Sequence, residues 1–393
     1  CDHVSINAAI DAANDGDVIQ LAAETYTEEG PIDTDGKAVT IRGVVAGDES
    51  GTPLSILDGN GTHRVLVCRR GEDARTILEN LVVTNGHHPA GGNGMANLDA
   101  SHPTLRNCTF TLNGGSAASA LLDGGSMASF TRSGGGMINE AGSSPRLIGC
   151  RFIGNNAWTG GGMCNEDAHP SLIDCIFIEN AADGPGGGMY NLGDSRPTLL
   201  RCRFERNVAA NGAGMNNCGG NTPRLEACVF VGNVSEFDGG GLNNCTGSAP
   251  ILRKCTFRAN EAGRRGGGIH NDSGGPTVLR CTFESNVPDS ITYATEDARP
   301  RVMTIDPNVT GDQDGDGDYD GVETEAGAEN KQIRRKKKPS ERALTFSIRE
   351  TTVVALVCFV VVTVLMLPER WYERNSVLAL LTLPVVAVML TVR

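Results

Sequence analysis

A four-residue signature recurs seven times with fixed internal spacing, and it constrains the fold more than any other property of the chain. Each copy opens on proline, at Pro103, Pro145, Pro170, Pro197, Pro223, Pro250 and Pro276. Cysteine follows each proline by five positions, at Cys108, Cys150, Cys175, Cys202, Cys228, Cys255 and Cys281. Phenylalanine stands two further on, from Phe110 to Phe283, and asparagine three beyond that, from Asn113 to Asn286. The copies are 25 to 27 residues apart, apart from one step of 42. A segment this short cannot bury a core alone, so the copies must stack, one repeat to one coil.

A second landmark falls between these blocks: a glycine-rich run, a large apolar residue, any residue, then asparagine. It reads Met95/Asn97, Met137/Asn139, Met163/Asn165, Met189/Asn191, Met215/Asn217, Leu242/Asn244 and Ile269/Asn271. Around each cysteine polar and apolar residues alternate, as in Arg201-Cys202-Arg203-Phe204-Glu205. That is the period of a strand with one buried face. Proline marks each strand's beginning, where a missing N–H is tolerated. The glycine runs supply positive φ for tight turns. Strands one repeat apart are parallel and stack at about 4.8 Å.

These features resemble the right-handed parallel β-helix of the pectin-lyase-like superfamily. The stretch VSINAAIDAANDGDVIQLAAETYTEEGPIDTDGKAVTIRGV looks like the start of many such proteins. Val4 to Asn14 reads as an amphipathic helix with Ile6 and Ile10 on one face, capping the open end of the stack. Val18–Leu21, Val39–Ile41, Ser55–Leu57, Val65–Val67 and Ile77–Val83 read as strands of early coils. More narrowly, the Phe-x-x-Asn and Gly-Gly-apolar signatures resemble the repeats of chlamydial polymorphic outer membrane proteins. The chain departs from those proteins at its end, where no alternating barrel strands follow. The expected fold is all-β: a cap helix over 1–14, then a right-handed parallel β-helix solenoid over 15–300, with regular coils at about 90–290.

The columns of this stack invite functional readings. Cysteine neighbours sit a full coil apart and form no Cys-x-x-Cys pair, which is wrong for zinc. Cys150, Cys175, Cys202, Cys228, Cys255 and Cys281 therefore read as buried apolar steps. Cys218 and Cys245 form a candidate second pair. The resemblance implies internal asparagine ladders, and Asn165, Asn191, Asn217, Asn244 and Asn271 read as corner ties that satisfy buried groups. The seven histidines are expected singly on the surface. Gly86-His87-His88 is faintly similar to a Gly-His-Gly element of polygalacturonases, without its final glycine.

Family enzymes use acids with Arg or Lys on the outside of neighbouring coils. Asp183 and Asp238 are the catalytic candidates on that resemblance, in Gly-adjacent loops two coils apart, a gap of about 10 Å. That is near the range of an inverting carboxylate pair. Arg264 and Arg265 lie in the next coil's equivalent loop. The irregular 42-residue step holds an insertion over 114–133. Insertions in solenoids become loops on one face, where function concentrates.

Beyond the repeats the charge is strongly segregated, within a net charge of −13 that argues against general nucleic-acid binding. An acidic linker, 306–329, contains DQDGDGDYDGVE. It matches a calcium loop, with Asp312, Asp314, Asp316, Asp318, Asp320 and Glu323 as ligands and Gly317 at the turn. A basic juxtamembrane segment follows over 331–350. Thr351 to Pro368 and Asn375 to Val392 are uncharged and read as an α-helical transmembrane hairpin spanning 351–392. The basic cluster favours a cytoplasmic location beside the membrane. Family analogy favours extracytoplasmic exposure of the β-helix.

The functional expectation is a membrane-anchored cell-envelope β-helix, non-enzymatic, used for adhesion or for structural or carbohydrate contact, with a surface protein as another partner. The alternative is a pectin-lyase-like polysaccharide lyase or glycoside hydrolase. A column of acids with Arg or Lys on adjacent coils, lining a groove, would favour the second.

Overall fold

The computed structural model of this chain describes residues 3, 5–114 and 133–302, all within the first of the two units into which the chain divides, Cys1–Thr324. The cap helix forms over Ile6–Ala12, shorter than expected at both ends. Ser5 caps it, accepting the Ala8 N–H at 3.0 Å, as a short hydroxyl side chain does at an N-cap. Ile6 and Ile10 are the buried residues of its inner face.

The rest is a parallel β-solenoid. An 11-stranded sheet runs from Val18–Gln20 to Arg301–Val302, a 10-stranded one from Thr25–Tyr26 to Thr282–Glu284, and another of 10 from Ile32–Asp33 to Ile291–Tyr293. A fourth, 5-stranded sheet joins Asn156–Ala157 to Glu261–Ala262. Each strand pairs in parallel with its equivalent one coil away, as Phe152 with Phe177 and Phe177 with Phe204. The insertion leaves this register intact: Thr109 pairs with Arg151 and Met95 with Met137. Most of the insertion itself, like the calcium loop and the hydrophobic hairpin, lies outside the described residues. Among the described residues no helix is long and apolar enough to cross a membrane.

The repeat block holds two strands rather than the one its alternation suggests. Thr198–Leu200 belongs to the first sheet and Arg203–Glu205 to the second. Between them Arg201 takes φ 53°, and its equivalents Asp174, Ala227, Lys254 and Arg280 do the same. One left-handed residue turns the chain through a corner and keeps Cys202 pointing inward. The expected strand Ile77–Val83 is divided in the same way at Asn80, which has φ 60°. Such residues other than glycine are uncommon at positive φ, so the corner is invisible to composition.

Inside, identical residues stack. The Phe152, Phe177, Phe204, Phe230 and Phe257 rings follow one another at 4.7 Å between centroids, within 5° of parallel. The cysteine column is buried from Cys108 to Cys281, and those thiols are free. Burial disfavours a thiolate throughout the column and pushes the Cys108 and Cys175 thiols well above the ordinary range, while hydrogen bonds from the neighbouring thiols act the other way on Cys150 and Cys202. Cys218 and Cys245, on the outside, are joined in a disulfide.

Both asparagine columns are hydrogen-bonded chains. Asn165 Nδ2 donates to Asn191 Oδ1 at 2.8 Å, Asn191 to Asn217 and Asn217 to Asn244 at the same distance, and Asn244 to Asn271 at 2.7 Å. In the other column Asn180 donates from its backbone N and its Nδ2 to Asn207 Oδ1, both at 3.0 Å, and from Nδ2 also to the Phe152 carbonyl at 2.9 Å. A buried amide is costly unless its donors and acceptors are matched. Between the ends of each column, an identical residue one coil away supplies the match.

The glycine runs do two separate jobs. The first glycine turns the chain, as Gly186 does at φ +77°. The third has no such φ. A Cβ on Gly188 would lie 2.5 Å from the Gly214 carbonyl oxygen and 2.8 Å from the Phe204 ring, so this glycine is fixed by close packing.

Candidate functional site

The third sheet presents one residue per strand outward, the variable position between its inward apolar residue and its inward asparagine. From Val67 onward these outward side chains are nonetheless buried, apart from the half-buried Tyr190. The turn that leads into each strand folds back across it: a Cβ on Gly212 or Gly239 would come within 2.7 Å of the Asn216 Cβ or 2.6 Å of the Asn243 Cβ. The result is a covered seam on the outside of the solenoid.

Its composition changes along the stack. Ala96, Ile138 and Cys164 form an apolar cluster separate from the main core, with Tyr190 packed against it. Burial, and then the charge of Glu166, push the Cys164 thiol up to about 12, and burial raises the Tyr190 phenol to about 12. Glu140 and Glu166 follow the paired Asn139 and Asn165 on the rim. Burial and the neighbouring Glu166 push the Glu140 carboxyl up, against the opposing charge of Arg64.

Beyond Tyr190 the seam turns polar. Asn216, Asn243, His270 and Thr292 occupy consecutive strands in register. Asn243 Nδ2 donates to Asn216 Oδ1 at 2.7 Å, and His270 Nδ1 shares a hydrogen bond with the Thr292 hydroxyl at 2.8 Å. Asn243 is 6% exposed and His270 1%. The Asn243 Oδ1 and His270 Nε2 atoms are buried without a partner.

Asp238 closes the seam at this end. Its backbone pairs with Arg265 one coil on. Its carboxylate accepts from Arg264 Nη2 at 3.1 Å, Arg265 Nε at 3.2 Å and Arg265 Nη2 at 3.1 Å. Burial works to raise the Asp238 carboxyl, but the Arg265 hydrogen bonds and the positive charges around it hold it below the ordinary range. Arg264 lies over the Phe237 ring, 4.6 Å from its centroid. Burial, then Arg265, depress His270 to about 4, with Asp238 and Asp272 opposing and Arg264 adding. The imidazole is therefore neutral at physiological pH.

Asp183 stands elsewhere. It is exposed, and it follows Ala182, which stacks on Ala157. Asp238 instead continues the column in which Pro185 pairs with Asn211, and the Asp238 amide donates to Asn211 Oδ1 at 3.2 Å. The residue equivalent to Asp183 is Glu236, after Ser235. The two candidate acids thus occupy different columns. Arg264 and Arg265 do join Asp238, as their loop position suggested. His270 was expected singly on the surface and is buried. The signal for it was its place in the apolar-x-Asn landmark, where polarity rises from Ile138 through Tyr190 to Asn243. His102 and His169 also share a repeat position, immediately before the proline, where each Nδ1 accepts a backbone N–H from the next coil, of Ser144 at 2.9 Å and Arg196 at 3.2 Å. Among the described residues no group of three or more His, Cys, Asp or Glu is placed to hold a metal.

Residues 42–249 match the family described as right handed beta helix region, more than half of the chain. The chain belongs to the right-handed β-helix family. Three solved structures are similar to this β-helix. A mannuronic acid specific polysaccharide family 6 lyase from human gut microbiota is 13% identical, with a TM-score of 0.37, over 73% of this chain and 64% of its own. A capsular polysaccharide depolymerase tailspike from an Acinetobacter baumannii bacteriophage is 10% identical, with a TM-score of 0.33, over 74% of this chain and 58% of its own. The A-module of an Azotobacter vinelandii mannuronan C-5 epimerase is 13% identical, with a TM-score of 0.30, over 77% of this chain and 89% of its own. The β-helix thus spans less than two thirds of the lyase and of the tailspike. No curated protein matches the chain. The likeness to chlamydial repeats remains one of motif.

Proposed function

We propose that this β-helix is a saccharide-contacting protein and that its contact site is the polar end of the outer seam, around Asp238, Asn243 and His270. One observation carries the reading: Asn243 and His270 pair in register one coil apart, their Oδ1 and Nε2 atoms are buried without partners in the protein, and the charged Asp238, Arg264 and Arg265 act on the His270 ring. A buried polar atom that the fold leaves unmatched is costly, and a hydroxylated ligand matches it. The other unpartnered atoms among the described residues are on Asn97, Asn221, Ser235 and Ser248. Titration of the full chain with immobilised polysaccharides tests the reading: binding is expected in the wild type and lost in Asn243→Leu. Equal binding by both would refute it.

The enzymatic alternative draws on the same centre. A neutral imidazole beside two guanidiniums is a base next to charge neutralisers, the equipment of proton abstraction from a sugar acid. Against it, Asp238 is bound to both arginines, and Asp183 is not in its column. Release of new reducing or unsaturated ends from a polysaccharide, abolished in His270→Ala, would establish cleavage. Its absence leaves contact without cleavage.

Two parts of the account rest on sequence alone. Membrane anchoring at the cell envelope through 351–392 is proposed from hydropathy, and display of the β-helix outside from family analogy alone. Calcium binding by Asp312, Asp314, Asp316, Asp318, Asp320 and Glu323 is proposed from loop spacing. Calorimetric titration of the chain with calcium is expected to give heat that Glu323→Ala abolishes.

A further inference from the structure

We propose that Cys218 and Cys245 form a redox-controlled staple between two coils, closed by a disulfide oxidant and opened by a dithiol, and that the β-helix works in an oxidising compartment. This depends neither on the saccharide reading nor on family analogy. Cys218 follows Asn217 and Cys245 follows Asn244. Those two asparagines pair in register, and Asn217 Nδ2 donates to Asn244 Oδ1 at 2.8 Å. The asparagines point inward, so the residue after each points outward. The two Cα atoms are 4.8 Å apart, within the span that a disulfide bridges. The inner column thus sets the distance that the outer bridge needs.

Distance alone does not select this pair. The inner cysteines also recur one coil apart, and they are free thiols. Accessibility separates the two sets. Cys202, Cys228 and Cys255 are at most 1% exposed. Each of these thiols is directed at two backbone carbonyls, as Cys228 is at those of Leu199 and Glu226, 3.7 and 3.5 Å away. Exchange needs an attacking thiolate to reach the sulfur, and the packed interior excludes one. Cys218 and Cys245 are half-buried on the outer surface. Their column carries no repeated residue: Glu166, Leu192 and Cys218 follow one another in register. The stacking that fixes the inner cysteines therefore does not impose a pair here.

The chemistry is thiol–disulfide exchange. In closing, each thiol gives up one proton and one electron, and the Cys218–Cys245 S–S bond forms. The S–S bond of the oxidant takes both and breaks to two thiols. A dithiol reverses the step and is itself left as a disulfide. The chain leaves Cys218 through Gly219 and Gly220, at φ +97° and +79°. Glycine loses more freedom on folding than any other residue, and a cross-link beside the pair restricts the unfolded chain. An accessible disulfide persists in an oxidising compartment, whereas the cytosol keeps such thiols reduced.

The test is stepwise alkylation of the full chain, read by peptide mass spectrometry. The native chain, purified without reductant, is treated with N-ethylmaleimide, unfolded in the same reagent, then reduced and treated with iodoacetamide. Cys218 and Cys245 are expected to carry the second label. The nine free cysteines among the described residues are expected to carry the first, acquired on unfolding. Dithiothreitol added to the native chain is expected to open Cys218 and Cys245 to N-ethylmaleimide and to leave those nine unlabelled. It is also expected to lower the melting temperature by about 5 °C. The double variant Cys218→Ser/Cys245→Ser is expected to melt at that lower temperature with or without dithiothreitol. If the variant does not fold, the two melting curves of the unaltered chain carry the test. N-Ethylmaleimide on Cys218 or Cys245 before reduction, or a melting temperature that dithiothreitol leaves unchanged, would overturn the staple. A pair that dithiothreitol opens after unfolding alone, or inner cysteines labelled in the native chain, would overturn its selective control. In acid-quenched cells of its source the bridge is expected to be intact. Free Cys218 and Cys245 thiols there would overturn the oxidising compartment.

Discussion

The same strands carry two amide columns on opposite faces, and they behave differently. Inside, Asn191, Asn217, Asn244 and Asn271 each meet an identical neighbour, and every interior link is made at 2.7 to 2.8 Å. The inner column shows an unpartnered oxygen at its beginning, on Asn97, where the preceding coil offers Cys68 instead. Outside, Asn216, Asn243 and His270 are one residue away in sequence, and there the chain of bonds breaks in mid-stack between Asn243 and His270. Repetition satisfies hydrogen bonds automatically. Loss of repetition leaves valence over, and a ligand can use it. The inner face holds the molecule together, and the outer face is free to vary.

The contrast is breakable by substitution. The largest loss is expected for Phe204→Ala, which empties one step of a stacked, fully buried column: about 3–5 kcal/mol, measured by denaturant unfolding. Asn217→Leu comes next. It strands both Asn191 Nδ2 and Asn244 Oδ1, and two newly unmatched buried groups cost about 3 kcal/mol together.

A pH series sharpens the outer side of the comparison. His270 titrates near 6.5 when unfolded and at about 4 in the fold. Between those values the unfolded chain takes a proton that the folded chain refuses, so stability is fully present above pH 6.5 and declines as pH falls towards 4. Burial is the largest cause of this shift; of the charged groups around the ring, Arg265 and Arg264 add to it and Asp238 and Asp272 oppose it. The decline amounts to at most about 3 kcal/mol. His270→Gln is expected to remove that component from the melting-temperature profile. An unchanged profile would mean that the imidazole is not held neutral.

The smallest effect on stability is expected for Asn243→Leu, about 1 kcal/mol or less. It frees Asn216 Oδ1 but removes the already unmatched Asn243 Oδ1, so the number of unmatched oxygens does not rise. A loss as large as that of Asn217→Leu would erase the distinction between the two faces.

The inner face was legible because its residues repeat: cysteine, phenylalanine and asparagine announced a stacked core and its corners. The corners between sheets were not, because Asp174, Arg201, Ala227 and Lys254 adopt positive φ without being glycine. The third glycine of each run was legible as a glycine but not as a packing constraint, since the neighbour that forbids a Cβ is a carbonyl one coil away. The outer site was half legible. Asp238, Arg264 and Arg265 were found through their loops. His270 was missed because it fills the variable position of its motif, and burial of an outward residue depends on a turn folding back across it, which strand periodicity does not encode.

The most direct test of the account is the saccharide affinity of Asn243→Leu and Asn217→Leu, measured side by side under conditions where both remain folded. The account predicts that Asn243→Leu loses binding and keeps most of its stability, while Asn217→Leu keeps binding and loses stability. Binding retained in Asn243→Leu, or lost equally in both, would contradict it.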